Sequence, residues 1–289
     1  MIRRWGFFFL INIAMMVMIT IVTSLLGVDR YASEQGIDYN LLLGFCLVWG
    51  MGGAFISLLI SKSMAKWMFR LQIIDSKSQD PNARELVNMV HRMAKAAGLH
   101  KMPEVAVYES QEVNAFATGP SRSNSLVAVS SGLLQRMNRE QVEGVIGHEV
   151  AHIANGDMVT MTLIQGVLNA FVMFLARAIA FALTRGEDRQ GGMSTFLLVI
   201  VLQIALGFLA MIVINYFSRL REYRADQGGA RYAGRDKMVS ALKALAGTED
   251  LVDKEHESFA SLKISGSKMA ALFSTHPPLS ERIKRLERA

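Results

Sequence analysis

The sequence has a single cysteine, Cys46, which excludes an intrachain disulfide framework and a cysteine-rich zinc site alike. It is also poor in charge. Only 19% of its residues are Asp, Glu, Lys or Arg, against about 25% in a typical soluble domain, so part of the chain is expected to sit in lipid. The net charge of +6 over 289 residues is not gathered into a basic patch. Arg3, Arg4, Lys62, Lys66 and Arg70 flank apolar runs instead, which suits membrane anchoring and argues against nucleic acid as a partner. Internal repeats, low-complexity tracts and nucleic-acid-binding motifs are all lacking.

What the chain does have is apolar length. Residues 5–28, 39–61, 158–176 and 190–218 carry no charge, and about 20 apolar residues cross a bilayer as a helix. The third run is the weakest, with Gln165 and Asn169 inside it and Arg177 at its end. The first run is too long for the apolar region of a signal peptide, and no small-x-small cleavage site follows it. Basic residues precede the first run and follow the second, while the connection between them is mainly acidic. The positive-inside rule then puts both basic ends, and the segment 62–157, in the cytoplasm.

That segment reads as a compact mixed domain. Leu86, Val87, Val90, Met93, Ala94 and Ala97 recur at a helical period over 82–97, with Gly98 as the stop. Short strands are expected at 105–108, 113–118 and 126–130, between polar or Gly/Pro breaks. A second helix is expected over 139–155, with Asn138 and Gln141 forming a capping box and Gly156 ending it. Beyond the fourth apolar run, residues 219–289 read as mostly helical. Helices are expected at 237–245 and 279–288, and a charged loop or lid at 248–266.

The chemistry is carried by His148-Glu149-Val150-Ala151-His152, an H-E-x-x-H motif within the second helix. Residues four apart share a helix face, so two imidazoles can grip one tetrahedral ion. Glu149, beside the first of them, is placed as general base toward the attacking water. Val145, Ile146, Val150, Ala151, Ile153 and Ala154 surround the motif, and buried histidines beside a carboxylate need partners. A third ligand is required, and Glu222, Asp226, His256 and His276 are the candidates. Glu222 follows the fourth apolar run directly, and Asp226, one turn on, is positioned to orient a ligating histidine. A surface ion pair of Glu222 with Arg219 or Arg224 is the competing reading. His152 lies six residues before the third run and Glu222 four after the fourth. At 1.5 Å per residue the metal should therefore lie near the membrane face. The third and fourth runs must both cross or both stay on one side, since a single crossing would part Glu222 from His148.

Several motifs carry a resemblance that spans nearly the whole chain. They are the two N-terminal apolar segments, Asn114-Ala115-Phe116-Ala117-Thr118-Gly119, the run 148–157, residues 221–226 and Thr275-His276-Pro277-Pro278-Leu279. Through them the sequence resembles the HtpX family of bacterial inner-membrane zinc metalloproteases, related to the CAAX prenyl endoproteases. The resemblance implies one Zn²⁺ per chain held by His148, His152 and Glu222, with Glu149 catalytic. It implies a role in quality control of damaged or misfolded membrane proteins, with polypeptides and the lipid bilayer as partners. By analogy it makes His276 an oxyanion donor, although Pro277-Pro278 would also serve simply to start a helix. It makes Asn114, Ala115, Phe116 and Ala117 part of an edge strand that holds extended substrate, with Phe116 facing the core. An ordinary half-buried strand is the plainer reading.

The expected fold is a mainly α membrane protein. Its N-terminal transmembrane helices (1–61) precede a cytoplasmic α+β metalloprotease domain, gluzincin-like. That domain is split into 62–157 and 219–289 by an inserted hydrophobic helical hairpin (158–218). The expected location is the bacterial inner membrane, multi-pass, with the site on the cytoplasmic side. Two other functions compete with the endopeptidase. A metal-handling membrane protein would need ionisable groups inside the spans, where only Arg177 comes near. A non-catalytic membrane chaperone or scaffold would have no need of Glu149.

Overall fold

The computed structural model describes residues 39–184, 192–255 and 275–288. In chain order these form α1 (Tyr39–Met68), β1 (Gln72–Ile73), α2 (Pro81–Ala96), β2 (Glu104–Tyr108), β3 (Ala115–Ser121), β4 (Asn124–Ser130), α3 (Ser131–Arg136), α4 (Arg139–Asn155), α5 (Asp157–Thr184), α6 (Gly192–Ala233), α7 (Arg235–Glu255) and α8 (Leu279–Arg288). The chain divides into two units. Of the described residues, one comprises those within 39–54 and 165–210, the other those within 55–164 and 211–288.

Among the described residues, three helices are long and apolar enough to cross a membrane, over Asn40–Met68, Asp157–Thr184 and Ser194–Ala233. They cover the third apolar run and most of the second and fourth, and the run 5–28 lies outside the described residues. In the first unit, Cys46 and Met173 pack with Leu42, Phe45, Trp49 and Phe174. Here α1 and α5 approach closely. A side chain at Gly50 would put its Cβ 2.7 Å from the Cα of Ala170, so only a residue without one fits this crossing.

The second unit is built on a four-stranded sheet of order β1-β2-β4-β3. The pair β2–β4 is parallel, and the other two pairs are antiparallel. Alternation along β2 and β4 separates two cores. Val105, Val127 and Val129 join the apolar sides of α2 and α4 in the main one. Ala106, Tyr108, Leu126 and Ala128 face the other way, toward Phe69 and Phe116. The main core takes in Leu86, Val87, Val90, Met93 and Ala94 of α2, the residues whose period predicts that helix. Asp80 caps α2 and Pro81 occupies its first turn, a position with no intrahelical donor to lose.

Besides the short β1 and α3, which the sequence does not signal, two elements differ from the sequence expectation. β3 does not stop at Thr118 but continues through Gly119 and Pro120 to Ser121, with a register irregularity between Thr118 and Ser121. An edge strand tolerates proline, and Gly119, with φ at 138°, absorbs the irregularity. The helix expected at 237–245 runs from Arg235 to Glu255, so the first eight residues of the expected lid are helical. Gly247 costs a helix only about 1 kcal/mol, and residues 248–255 contain no proline or further glycine to end it. The rest of that stretch, 256–266, lies outside the described residues.

Candidate metal centre

Helix α4 carries the H-E-x-x-H motif, and its ends are those the sequence signals. Asn138 and Gln141 form the capping box, and Gly156 closes the helix in the left-handed conformation. Between these ends the helix is almost wholly buried, with Ile146, Val150, Ala151 and Ile153 at 0% exposure. A helix so enclosed can meet another only where side chains are small. A Cβ on Gly228 of α6 would lie 2.6 Å from that of Ala151, and one on Gly229 would lie 3.0 Å from the amide nitrogen of His148. These two glycines bring α6 against α4, which sets Glu222 and Asp226 opposite the two histidines.

The three side chains converge. His148, His152 and Glu222 each offer a donor atom within 4.8 Å of the others, a set able to hold a metal ion. The two Nε2 atoms are 3.1 Å apart. Glu222 Oε2 is 3.4 Å from His148 Nε2, and Oε1 is 3.5 Å from His152 Nε2. Glu222 is 1% exposed. The opposite ring nitrogens are committed elsewhere. His152 Nδ1 meets Asp157 Oδ2 at 2.6 Å, and His148 Nδ1 meets Asp226 Oδ1 at 3.0 Å. An ionised carboxylate can only accept, so each Nδ1 donates, and each Nε2, once it has lost any proton, can turn a lone pair to the centre. That is the tautomer a metal requires. The donor set, two imidazole nitrogens and one carboxylate oxygen, therefore fits a divalent transition ion.

Glu149 is half-buried, next to His148 on the same helix. His276 also reaches the centre. Its Nδ1 is 3.0 Å from Glu222 Oε2, while most of its ring is exposed. Asp226, expected beside a histidine, is there. His256 falls outside the described residues. The arginines seen at Glu222 are not those of the surface-pair reading. They are Arg221, whose Nη2 donates to Oε1 at 3.1 Å, and Arg282, whose Nη1 is 3.7 Å from Oε2.

Two buried neighbours were not singled out from the sequence. Asp157 sits one residue beyond the glycine that ends α4, where its side chain turns back on His152. Arg282 of α8 is 6% exposed and grips Asp226 with two hydrogen bonds, from Nε at 2.8 Å and from Nη2 at 2.6 Å. A signal for Arg282 existed. Leu279, Arg282, Ile283 and Leu286 share one helical stripe, and an arginine on an apolar stripe implies a buried acceptor. Replacing Asp157 with asparagine should weaken metal binding about 10–100-fold, since the amide no longer anchors Nδ1–H as a carboxylate does. A competitive zinc titration measures this, and an unchanged affinity would contradict the orienting role.

β3 is an edge strand, paired on one side only among the described residues. Asn114 just precedes it, its carbonyl accepting from the Ser130 amide. Ala115 and Ala117 border the main core that α4 shares, whereas Phe116 packs on the opposite face with Phe69 and Tyr108. Phe116 thus faces the smaller of the two cores.

Comparison with known proteins adds to this geometry. The profile of Peptidase family M48 matches residues 80–289. The chain is 48% identical to a protease HtpX homolog of Methylacidiphilum infernorum, covering 100% of this chain and 99% of that protein. It is 49% identical to one of Bacillus licheniformis and 51% identical to one of Verminephrobacter eiseniae, each over 99% of both chains. Among solved structures, the crystal structure of S. mikatae Ste24p is similar in fold, with a TM-score of 0.63 at 16% identity. The match covers 99% of this chain and 64% of that one.

Proposed function

Given that the chain belongs to peptidase family M48 and is a membrane metalloprotease, we propose that it is a zinc endopeptidase acting on damaged or misfolded membrane proteins. In this reading His148, His152 and Glu222 hold one zinc ion, and Glu149 is the general base. The observation that carries it is the spacing of the donor atoms. Zinc bonds of about 2.0–2.2 Å in a tetrahedron put ligand atoms about 3.3–3.6 Å apart. Here the two Nε2 atoms are 3.1 Å apart, and each lies 3.4 or 3.5 Å from one of the two Glu222 oxygens, Oε2 for His148 and Oε1 for His152.

A zinc ion there would polarise the scissile carbonyl and lower the pKa of the attacking water to about 7. Glu149 would take the proton of that water and deliver it to the leaving amine. Asp226 and Asp157 keep the two imidazoles in the ligating tautomer. His276, on the exposed side of Glu222, is the candidate donor to the oxyanion. β3, open along one edge, offers backbone groups to an extended peptide through Asn114, Ala115, Phe116 and Ala117. The charge pattern around the apolar segments supports a multi-pass protein of the bacterial inner membrane with the site on the cytoplasmic side. The names of the curated relatives support the HtpX-like role.

The test is chelation. The purified full chain should contain one zinc per molecule and cleave casein. It should lose that activity to a chelator and regain it on adding zinc. A chain without metal that gains no activity from zinc would refute the reading. A pH dependence accompanies it. Burial pushes the His148 imidazole down, but hydrogen bonds to Asp226 and Glu222 outweigh that and raise its pKa to about 9. Proton and metal compete for the ring, so binding is at full strength above that pH. Below it, apparent affinity should fall about tenfold per unit of pH. Zinc competition titrations between pH 6 and 9 would show the slope, and a flat profile would exclude it.

A further inference from the structure

We propose that Ser130 is a positioning residue for peptide binding, whose buried hydroxyl fixes the start of β3 and so the direction of the backbone groups along its open edge. This rests on the reading of β3 as the strand that pairs with extended substrate. β4 ends at Ser130, where α3 begins. As the N-cap of α3, Ser130 gives its carbonyl to the helix, so that carbonyl is lost to the strand opposite. In the antiparallel pairing of β3 with β4, Ala115 faces Val129, and the next pair along is Asn114 with Ser130. The Ser130 amide donates to the Asn114 carbonyl at 2.9 Å, one half of a hydrogen-bonded antiparallel pair. The other half would run from the Asn114 amide to the Ser130 carbonyl. It runs to the Ser130 hydroxyl instead, at 3.1 Å. The side chain thus carries the ladder one pair beyond the end of β4.

A hydroxyl has one proton and two lone pairs, and Ser130 uses all three. It donates to the Glu112 carbonyl at 2.7 Å and accepts from the amides of Asn114 and Leu133, each at 3.1 Å. Ser130 is fully buried, so these bonds are made away from water. Only the bond from Leu133 belongs to the helix cap. The other two pin the chain that enters β3. Backbone direction alternates along an antiparallel strand. With the amide and carbonyl of Asn114 turned toward β4, those of Ala115 and Ala117 turn outward, to the edge that no described strand pairs. β3 packs against α4, the helix that carries His148 and His152. The outward groups of Ala115 and Ala117 are therefore the ones a peptide lying along this edge would meet. Without the hydroxyl the last rung of the ladder is gone, and Ala115 loses its fixed direction.

The test is the split between KM and kcat on a fluorogenic casein-derived peptide, with the zinc-loaded full chain in detergent. Ser130→Ala should raise KM about tenfold and leave kcat and zinc content unchanged, as the loss of binding shared by ground and transition states does. Ser130→Thr, which keeps the hydroxyl, should restore KM. Ser131→Ala is the control. The Ser131 hydroxyl holds the backbone of Ser110 in the same loop, and its loss should leave KM at the wild-type value. A wild-type KM in Ser130→Ala, a fall in its kcat instead, an equal rise in Ser131→Ala or a failure of Ser130→Thr to restore KM overturns the proposal. If Ser130→Ala shows no thermal unfolding transition, Ser130→Gly is read by the same criteria, since glycine is tolerated at an N-cap. If neither variant folds, the hydroxyl serves the fold and the proposal is overturned. The reading of β3 is tested separately, on wild type. The same peptide N-methylated at one amide at a time should show a raised KM at alternate positions. If no methylation raises KM, β3 does not pair with substrate, and this proposal falls with that reading.

Discussion

The Glu149→Gln variant is expected to keep its metal and to lose peptide hydrolysis by about 10²–10⁴-fold. The size of the loss follows from the one property the amide lacks. It has the shape of the carboxylate but cannot accept a proton from water at neutral pH, so the step that makes the nucleophile goes uncatalysed. Metal retention follows from the geometry. Glu149 is not among the three converging donors, and the carboxylates that fix the imidazoles are Asp157 and Asp226. Metal content and casein cleavage measured on the same preparation separate the two effects. Full cleavage by the variant would remove Glu149 from its role, and loss of metal would recast it as a structural neighbour of the ligands.

A second large effect is expected far from the motif in sequence. Arg282→Ala should destabilise the protein by about 3–5 kcal/mol, because it strands a buried carboxylate. Asp226 is 2% exposed and, among the described residues, would keep only His148 as a partner. Metal affinity should fall with it, since an unpaired Asp226 no longer sits in the position that orients the imidazole. The cost should be non-additive. In the double variant Arg282→Ala with Asp226→Ala no charge is left stranded, so it should recover part of the stability lost by Arg282→Ala alone. Thermal unfolding of the four proteins in the cycle measures the coupling. A single variant as stable as wild type would show that the pair bears no weight.

The reach of sequence reasoning can be judged from the same residues. The α4 helix was legible to the residue, because capping boxes and glycine stops are local chemistry. His148, Glu149 and His152 were legible because one helix sets their spacing. Glu222 was only one of four candidates, because its proximity to His148 depends on how α6 returns, and no local pattern encodes that. Asp226 was readable as one helical turn beyond it. Asp157 and Arg282 were missed for different reasons. Asp157 looks like an ordinary residue at a helix start. Arg282 sits in a strongly charged helix where its neighbours Lys284, Arg285 and Arg288 are exposed. The continuation of β3 through Gly119 and Pro120 was hidden because both residues usually end strands, and only pairing on one side makes them tolerable there.

Along the chain, α5 and α6 separate the two histidines from Glu222, so under the proposed reading assembly of the ligand set would depend on both helices meeting the bilayer in the same way. A chain in which one of these helices had entered the bilayer without the other would carry half a ligand set on each side. Such a molecule could not load an ion or cut its neighbours. Competence to degrade other polypeptides would therefore be granted only to copies whose own threading had succeeded.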